Sequence, residues 1–217
     1  MKKLLLLSLL GMLCISLAFA QEEKPIEESL RQDIGFNTIF ILQGIFQSGY
    51  APFSLMYKKY TSENHAIRFG ADIFFNIDDN DANSSPSYYS NSSAASVAFV
   101  IGKEFQKPID KRWTWYYGGD LVPFFSFNNQ DFFQDGIPYS EWEYSNIGLS
   151  IRPFLGIRFN INPRLYLSAE ANVALRYART KNYQIYTNNA QPERDLNGNN
   201  LSFSLNPASG LFLFYRF

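Results

Sequence analysis

From Ile147 to Tyr177 the chain alternates. Ile147, Leu149, Ile151, Pro153, Leu155, Ile157 and Phe159 fall on one face of an extended strand, and Gly148, Ser150, Arg152, Phe154, Gly156, Arg158 and Asn160 fall on the other. After Asn162, Pro163 and Arg164 the pattern resumes. Leu165, Leu167, Ala169, Ala171, Val173, Leu175 and Tyr177 now oppose Tyr166, Ser168, Glu170, Asn172, Ala174 and Arg176. A period of two sustained over this length predicts strands with one apolar face, and the Asn-Pro pair predicts a tight turn between them. The same reading sets Ile67, Phe69, Ala71, Ile73 and Phe75 against Arg68, Gly70, Asp72, Phe74 and Asn76. Val97, Phe99, Ile101 and Phe105 oppose Ser96, Ala98, Gly102 and Glu104, and Trp113, Trp115, Tyr117, Leu121, Phe125 and Phe127 oppose Thr114, Tyr116, Gly118, Asp120 and Ser126. Less regular runs at about 34 to 46 and 52 to 60, and a last one from about 201 to 217, bring the expected strands to eight.

The connections alternate in length. Those near 61 to 64, 107 to 111 and 162 to 164 are short, whereas 78 to 93, 128 to 145 and 179 to 200 are long and rich in Asn, Asp and Ser. The first connection on the long side, 47 to 51, breaks the rule by being short. Apart from the leader, no run approaches the ~18 apolar residues of a spanning helix. If this chain enters a membrane it crosses as strands, with short turns on one side and long loops on the other.

Composition fits an apolar surrounding: 18% of residues are aromatic and only 18% charged, against roughly 25% charged in ordinary soluble domains. Lys2 and Lys3, the apolar run that follows and the close at Ala18-Phe19-Ala20 have the form of a secretory signal peptide, residues 1–20, cleaved between Ala20 and Gln21. Cys14 lies inside it behind Leu13, where a lipidated cysteine would follow a small residue. The mature chain then has no cysteine for a disulfide or a thiol site. Nineteen basic residues less Lys2 and Lys3 face twenty acidic ones, a formal charge of −3. That balance, with no basic run, argues against nucleic acid as a partner.

The chain closes on LFLFYRF, with Leu211, Leu213, Tyr215 and Phe217 alternating. In this it resembles the small OmpA/OmpX-like bacterial outer-membrane β-barrels, a porin-like family whose last strand ends in Phe after alternating apolar residues. The resemblance implies an all-β, eight-stranded, antiparallel up-and-down transmembrane barrel over 33–217, a periplasmic segment over 21–32, and residence in the outer membrane of a Gram-negative bacterium. It also implies that the last strand is the signal read by the barrel-insertion machinery, making that machinery and outer-membrane lipids the expected partners. Phe212 and Phe214 depart from the pattern, being apolar on the lumen side.

Inward positions collect Lys58, Arg68, Asp72, Glu104, Asp120, Arg152, Arg158, Glu170 and Arg176. An eight-stranded interior is only wide enough to be filled by side chains, so this charge network is expected to plug the lumen, with Glu170 paired to Arg152 or Arg176. A narrow solute or lipid path through the lumen is the alternative, and a soluble lipocalin-like barrel with its apolar face inward is the other. The only histidine, His65, is expected beside a short turn, away from the outer rim where a barrel hydrolase would work. Catalysis is not expected, and neither is a cofactor or a metal: Asp78, Asp79 and Asp81 lack the Gly and Glu of a calcium loop. The expected role is structural or surface-interacting, with loops 78–93, 128–145 and 179–200 as the contact surface for an extracellular partner.

Overall fold

In the computed structural model, which describes residues 32–39, 52–78, 88–135, 137–186 and 194–217, the alternating runs form one antiparallel sheet. Its strands are β1 (Gln32–Asn37), β2 (Phe53–Ser62), β3 (His65–Asp78), β4 (Tyr88–Pro108), β5 (Trp113–Gln134), β6 (Ile137–Asn160), β7 (Leu165–Tyr186), β8 (Arg194–Asp195) and β9 (Gly198–Arg216). Each pairs with its sequence neighbour, except that β8 is a two-residue piece beside Tyr183 and Gln184, and β9 continues along β7 below it. β9 then pairs with β1, Ile34 opposite Tyr215 and Phe36 opposite Leu213. The ring is closed by eight strands.

Closure is carried to the end of the chain. Gln32 N–H donates to Phe217 O at 3.2 Å and Phe217 N–H to Gln32 O at 2.9 Å. In hydrocarbon each unpaired backbone group costs several kcal/mol, so only a closed sheet can stand there.

On one side of the ring the three described connections are tight, and two share one device. Asp110 Oδ1 accepts from the N–H groups of Arg112 and Trp113 at 2.7 and 2.8 Å, and Asn162 Oδ1 accepts from those of Arg164 and Leu165 at 2.9 and 2.7 Å. The two donors hold the Asp110 carboxyl below the usual carboxylate range. Its contribution is complete above about pH 4 and is lost as pH falls through the depressed value.

The opposite side differs from the expected long loops. Residues 128–134 and 137–145 are strand rather than loop: β5 and β6 continue past the apolar zone, with Gln134 opposite Ile137. Asp135 has φ 51°, the left-handed conformation that a two-residue Asp-Gly hairpin requires. Likewise β4 begins at Tyr88 and β7 reaches Tyr186, so strand replaces part of the loops expected at 78–93 and 179–200. Polar Asn and Ser read as loop by composition, but ladder pairing with a long neighbour makes them strand. The expected connection at 47–51, the signal peptide, residues 21–31, and Asp79 and Asp81 lie outside the described residues.

The apolar face points outward. Ile73, Phe75, Phe99, Ile101, Leu121, Phe125, Ile147, Ile151 and Leu155 are all exposed, whereas Lys58, Arg68, Glu104 and Asp120 on the inner face are at most 4% exposed. This inverts the arrangement of a soluble barrel. On β6 the outward run Ile147 to Phe159 covers roughly 40 Å of strand at ~3.3 Å per residue, or about 28 Å of depth at a tilt near 45°. Beyond it the outward face turns polar at Ser145, Glu143 and Glu141. At the tight-turn end Trp113, Trp115 and Tyr117 are exposed, Trp113 packs on Phe159 at 4.7 Å and Phe105 stacks on Tyr117 at 5.5 Å. Aromatic side chains banded in this way are what a membrane–water interface favours.

Inside, glycines face rings. Phe154 lies across from Gly118, where a Cβ would come within 2.6 Å of its Cζ, and Gly35 faces Phe214, whose Cγ would be 2.6 Å away. Phe212 and Phe214 are buried inward residues, so the departure at the last strand is lumen packing beside Gly35. Deleting Tyr215 to Phe217 removes pairing at the β1–β9 seam. The expected outcome is loss of the heat-modifiable folded band on gels, and an unchanged band would refute the seam. A milder lesion, Asn162→Ala, removes two acceptor contacts in one turn and should cost about 1 kcal/mol in a urea titration.

Candidate functional site

The polar face of the ring converges on the lumen near the tight-turn end. Arg68 on β3 reaches the centre, where its Nη1 and Nη2 donate to Glu170 Oε2 and Oε1 on β7 at 2.9 and 3.2 Å. Its Nε lies 3.3 Å from Asp120 Oδ1 and its Nη1 3.6 Å from Glu104 Oε2, and its guanidinium covers the Phe154 ring at 3.9 Å. Lys58 Nζ on β2 pairs with Glu104 at 2.7 Å and stands over Phe214 at 4.4 Å and Tyr116 at 4.8 Å. Two cations and three carboxylates thus share one buried cluster.

A second cluster lies below it. Asp33 Oδ1 accepts from Arg216 Nε at 3.1 Å, and its Oδ2 accepts from Tyr60 and Tyr166 hydroxyls at 2.7 and 2.6 Å. Arg158 donates to Tyr60 OH and Gln106 Oε1, each at 3.1 Å, and to Thr114 Oγ1 at 3.2 Å. Gln106 Nε2 donates to Glu104 Oε1 at 2.6 Å and joins the clusters. Together they hold Lys58, Arg68, Arg158 and Arg216 against Asp33, Glu104, Asp120 and Glu170, a balanced set drawn from all eight strands of the ring. Every one of these eight residues is at most 9% exposed.

Neutral balance is what makes such a cluster tolerable. Removing one partner from a buried pair strands the other and costs about 3 to 5 kcal/mol, even where the intact pair adds little net stability.

The other inward charges stand higher. Arg152 Nη1 is 3.6 Å from Asp72 Oδ2, and Arg176 lies over the Phe124 ring at 3.6 Å. The expected partnership of Glu170 with Arg152 or Arg176 is therefore corrected: its partner is Arg68, reached across the lumen. Neighbouring positions offered nothing, since Glu170 lies opposite Gly156 and Gly210 in its two ladders. The pattern also passed over Asp33, Tyr60, Gln106 and Arg216. Arg216 had a signal, sharing its parity with the inward Phe212 and Phe214.

Above the clusters the lumen widens into two cavities of about 410 and 480 Å³, which share Pro52, Asp72, Arg152 and Asn206. His65 faces outward at the tight-turn end, edge-on to Phe105 at 5.1 Å. Among the described residues no His, Cys, Asp and Glu are grouped to hold a metal ion.

No family model matches the chain, and no curated protein matches it. Solved structures do overlap it. A major outer membrane protein from Thermus thermophilus is 10% identical, with a TM-score of 0.45, over 87% of this chain and 98% of that one. Ail, the attachment invasion locus protein of Yersinia pestis, is 14% identical, with a TM-score of 0.42, over 87% and 99%. The closed ring of eight strands seen here is the fold that the resemblance to small OmpA/OmpX-like barrels implies.

Replacing Arg68 by Met leaves three carboxylates around an apolar side chain. Its unfolding free energy in detergent should fall by about 3 to 5 kcal/mol, whereas Lys103→Met, on the outer face, should fall within about 0.5 kcal/mol of wild type. Equal effects would deny the cluster its special weight.

Proposed function

We propose that the protein is an integral outer-membrane β-barrel with a structural or surface-interaction role, closed to solutes by its own side chains and without catalysis. One observation carries the reading: Asp33 and Glu104 are 0% exposed and Arg68 is 1% exposed, so water reaches mid-lumen from neither end. A steady pore needs a continuous polar path, and this lumen is interrupted by charges already bonded to one another.

The outer face supplies the membrane half of the reading. Its apolar belt is about as tall as the ~25 Å band of outer-membrane barrels, and Lys59, Lys103 and Lys107 accompany the aromatics at the tight-turn end. That end faces the periplasm in this reading. Leu211, Leu213, Tyr215 and Phe217 would serve as the insertion signal, with barrel-insertion machinery and outer-membrane lipids as partners. The exposed hairpin of β5 and β6, with Trp142 at 41% and Ile137 at 68% exposure, would meet an extracellular partner together with the neighbouring ends of 78–93 and 179–200.

The test joins location to conductance. The mature protein should sediment with outer membranes and resist alkaline extraction, and in planar bilayers it should show no large steady current. Recovery from the soluble periplasm would overturn the location. Reproducible large single-channel currents would overturn the plug.

A further inference from the structure

The larger cavity above the plug differs from the plug in one respect: its charges do not balance. Its charged lining is Asp72, Arg152 and Arg176. Asp72 faces Arg152 at 3.6 Å, while Arg176 has no carboxylate within ion-pair distance among the described residues and lies flat on Phe124 at 3.6 Å. One positive charge is left over in about 480 Å³, within the range of small-molecule sites.

The hydrogen-bonding inventory is also open. Arg152 Nε and Ser150 Oγ are buried with no hydrogen-bond partner, and both residues line this cavity. Buried polar groups are normally paired, so these two mark a polar wall whose hydrogen bonding is incomplete, although neither atom itself opens on the cavity. Apolar side chains stand among these groups: Val122, Ala98 and Ala174 also line the cavity, with Val122 next to Ser150 in the β5–β6 ladder. Toward the hairpin side the cavity meets another of about 170 Å³ through Arg176 and Ser202, whose lining of Tyr144, Asn146, Thr180 and Asn200 carries no acid to repel an anion.

The geometry points to an outward-facing binding site for a small organic carboxylate, held by the guanidinium groups of Arg176 and Arg152 with its apolar body against Val122 and Ala98. Guanidinium forks match carboxylate geometry in two parallel bonds. Small inward residues on β9, Ser202 and Ser204, leave room for the ligand. This goes beyond the structural role, since the plug below is indifferent to whether the cavity is filled.

Benzoate is a suitable probe, with benzyl alcohol and inorganic phosphate as the uncharged and the purely anionic controls. The full barrel, folded in detergent with isotope-labelled arginine, gives the readout through its Nε–Hε resonances. Benzoate should shift the Arg176 and Arg152 signals saturably and leave that of Arg158, in the plug, in place. Benzyl alcohol should shift neither, and phosphate should bind more weakly than benzoate. Arg176→Ala, at a half-open position outside the ion pairs of the plug, should keep the heat-modifiable band and weaken benzoate by at least ~10-fold, while Arg176→Lys should recover part of the loss. Unsaturable shifts, equal response to benzyl alcohol, phosphate binding as tight as benzoate, or unchanged affinity in Arg176→Ala would each overturn the assignment.

Discussion

Everything else in this molecule depends on the pairing of β9 with β1. A sheet with an apolar outer face has nowhere to put an open edge in hydrocarbon, because the edge would present a row of N–H and C=O groups without partners. The pairing of Asp33 to Asn37 with Arg216 to Phe212 removes that edge near the tight-turn end. The same seam is joined inside the lumen by the Arg216–Asp33 ion pair. Backbone closure and side-chain closure occur at one place.

Once the ring is shut, period two decides the rest. Each outward residue commits its neighbours to the lumen, and eight strands leave an interior that side chains nearly fill. Arginines and carboxylates drawn inward must meet partners: Arg68 reaches Glu170 across the lumen, whereas Arg216 meets Asp33 on the adjacent strand. Glycines at inward positions set the space: Gly118 admits Phe154 and Gly35 admits Phe214. Toward the hairpin end the inward residues of β9 shrink to Ser and Asn, the charges thin out, and the plug gives way to cavities.

Faces and strand number were legible because alternation is local. The run from Leu165 to Tyr177 carries its own orientation, and the turn at Asn162 announces itself through a side chain that caps the next two N–H groups. Strand length was not legible. Residues 128–145 are polar for most of their length and read as loop, yet Asp135-Gly136 is a hairpin signal inside them, and the strands on either side run to meet it. Lumen partners were illegible for a different reason: alternation names the face of Glu170 but says nothing about which strand lies opposite across a barrel. Asp33 was missed because β1 is short, and Tyr60 because the run that holds it, β2, alternates less regularly.

The central claim is that the apolar face meets lipid while the charged face is sealed. Tryptophan quenching tests it directly, using single-tryptophan variants that retain either Trp115, in the belt at 43% exposure, or Trp142, in the extended hairpin at 41%. Their near-equal exposure makes lipid contact the only variable. In bilayers of brominated lipid the account predicts strong quenching of Trp115 with little effect of aqueous iodide, and the reverse for Trp142. Iodide quenching of Trp115 with no response to bromine would contradict it.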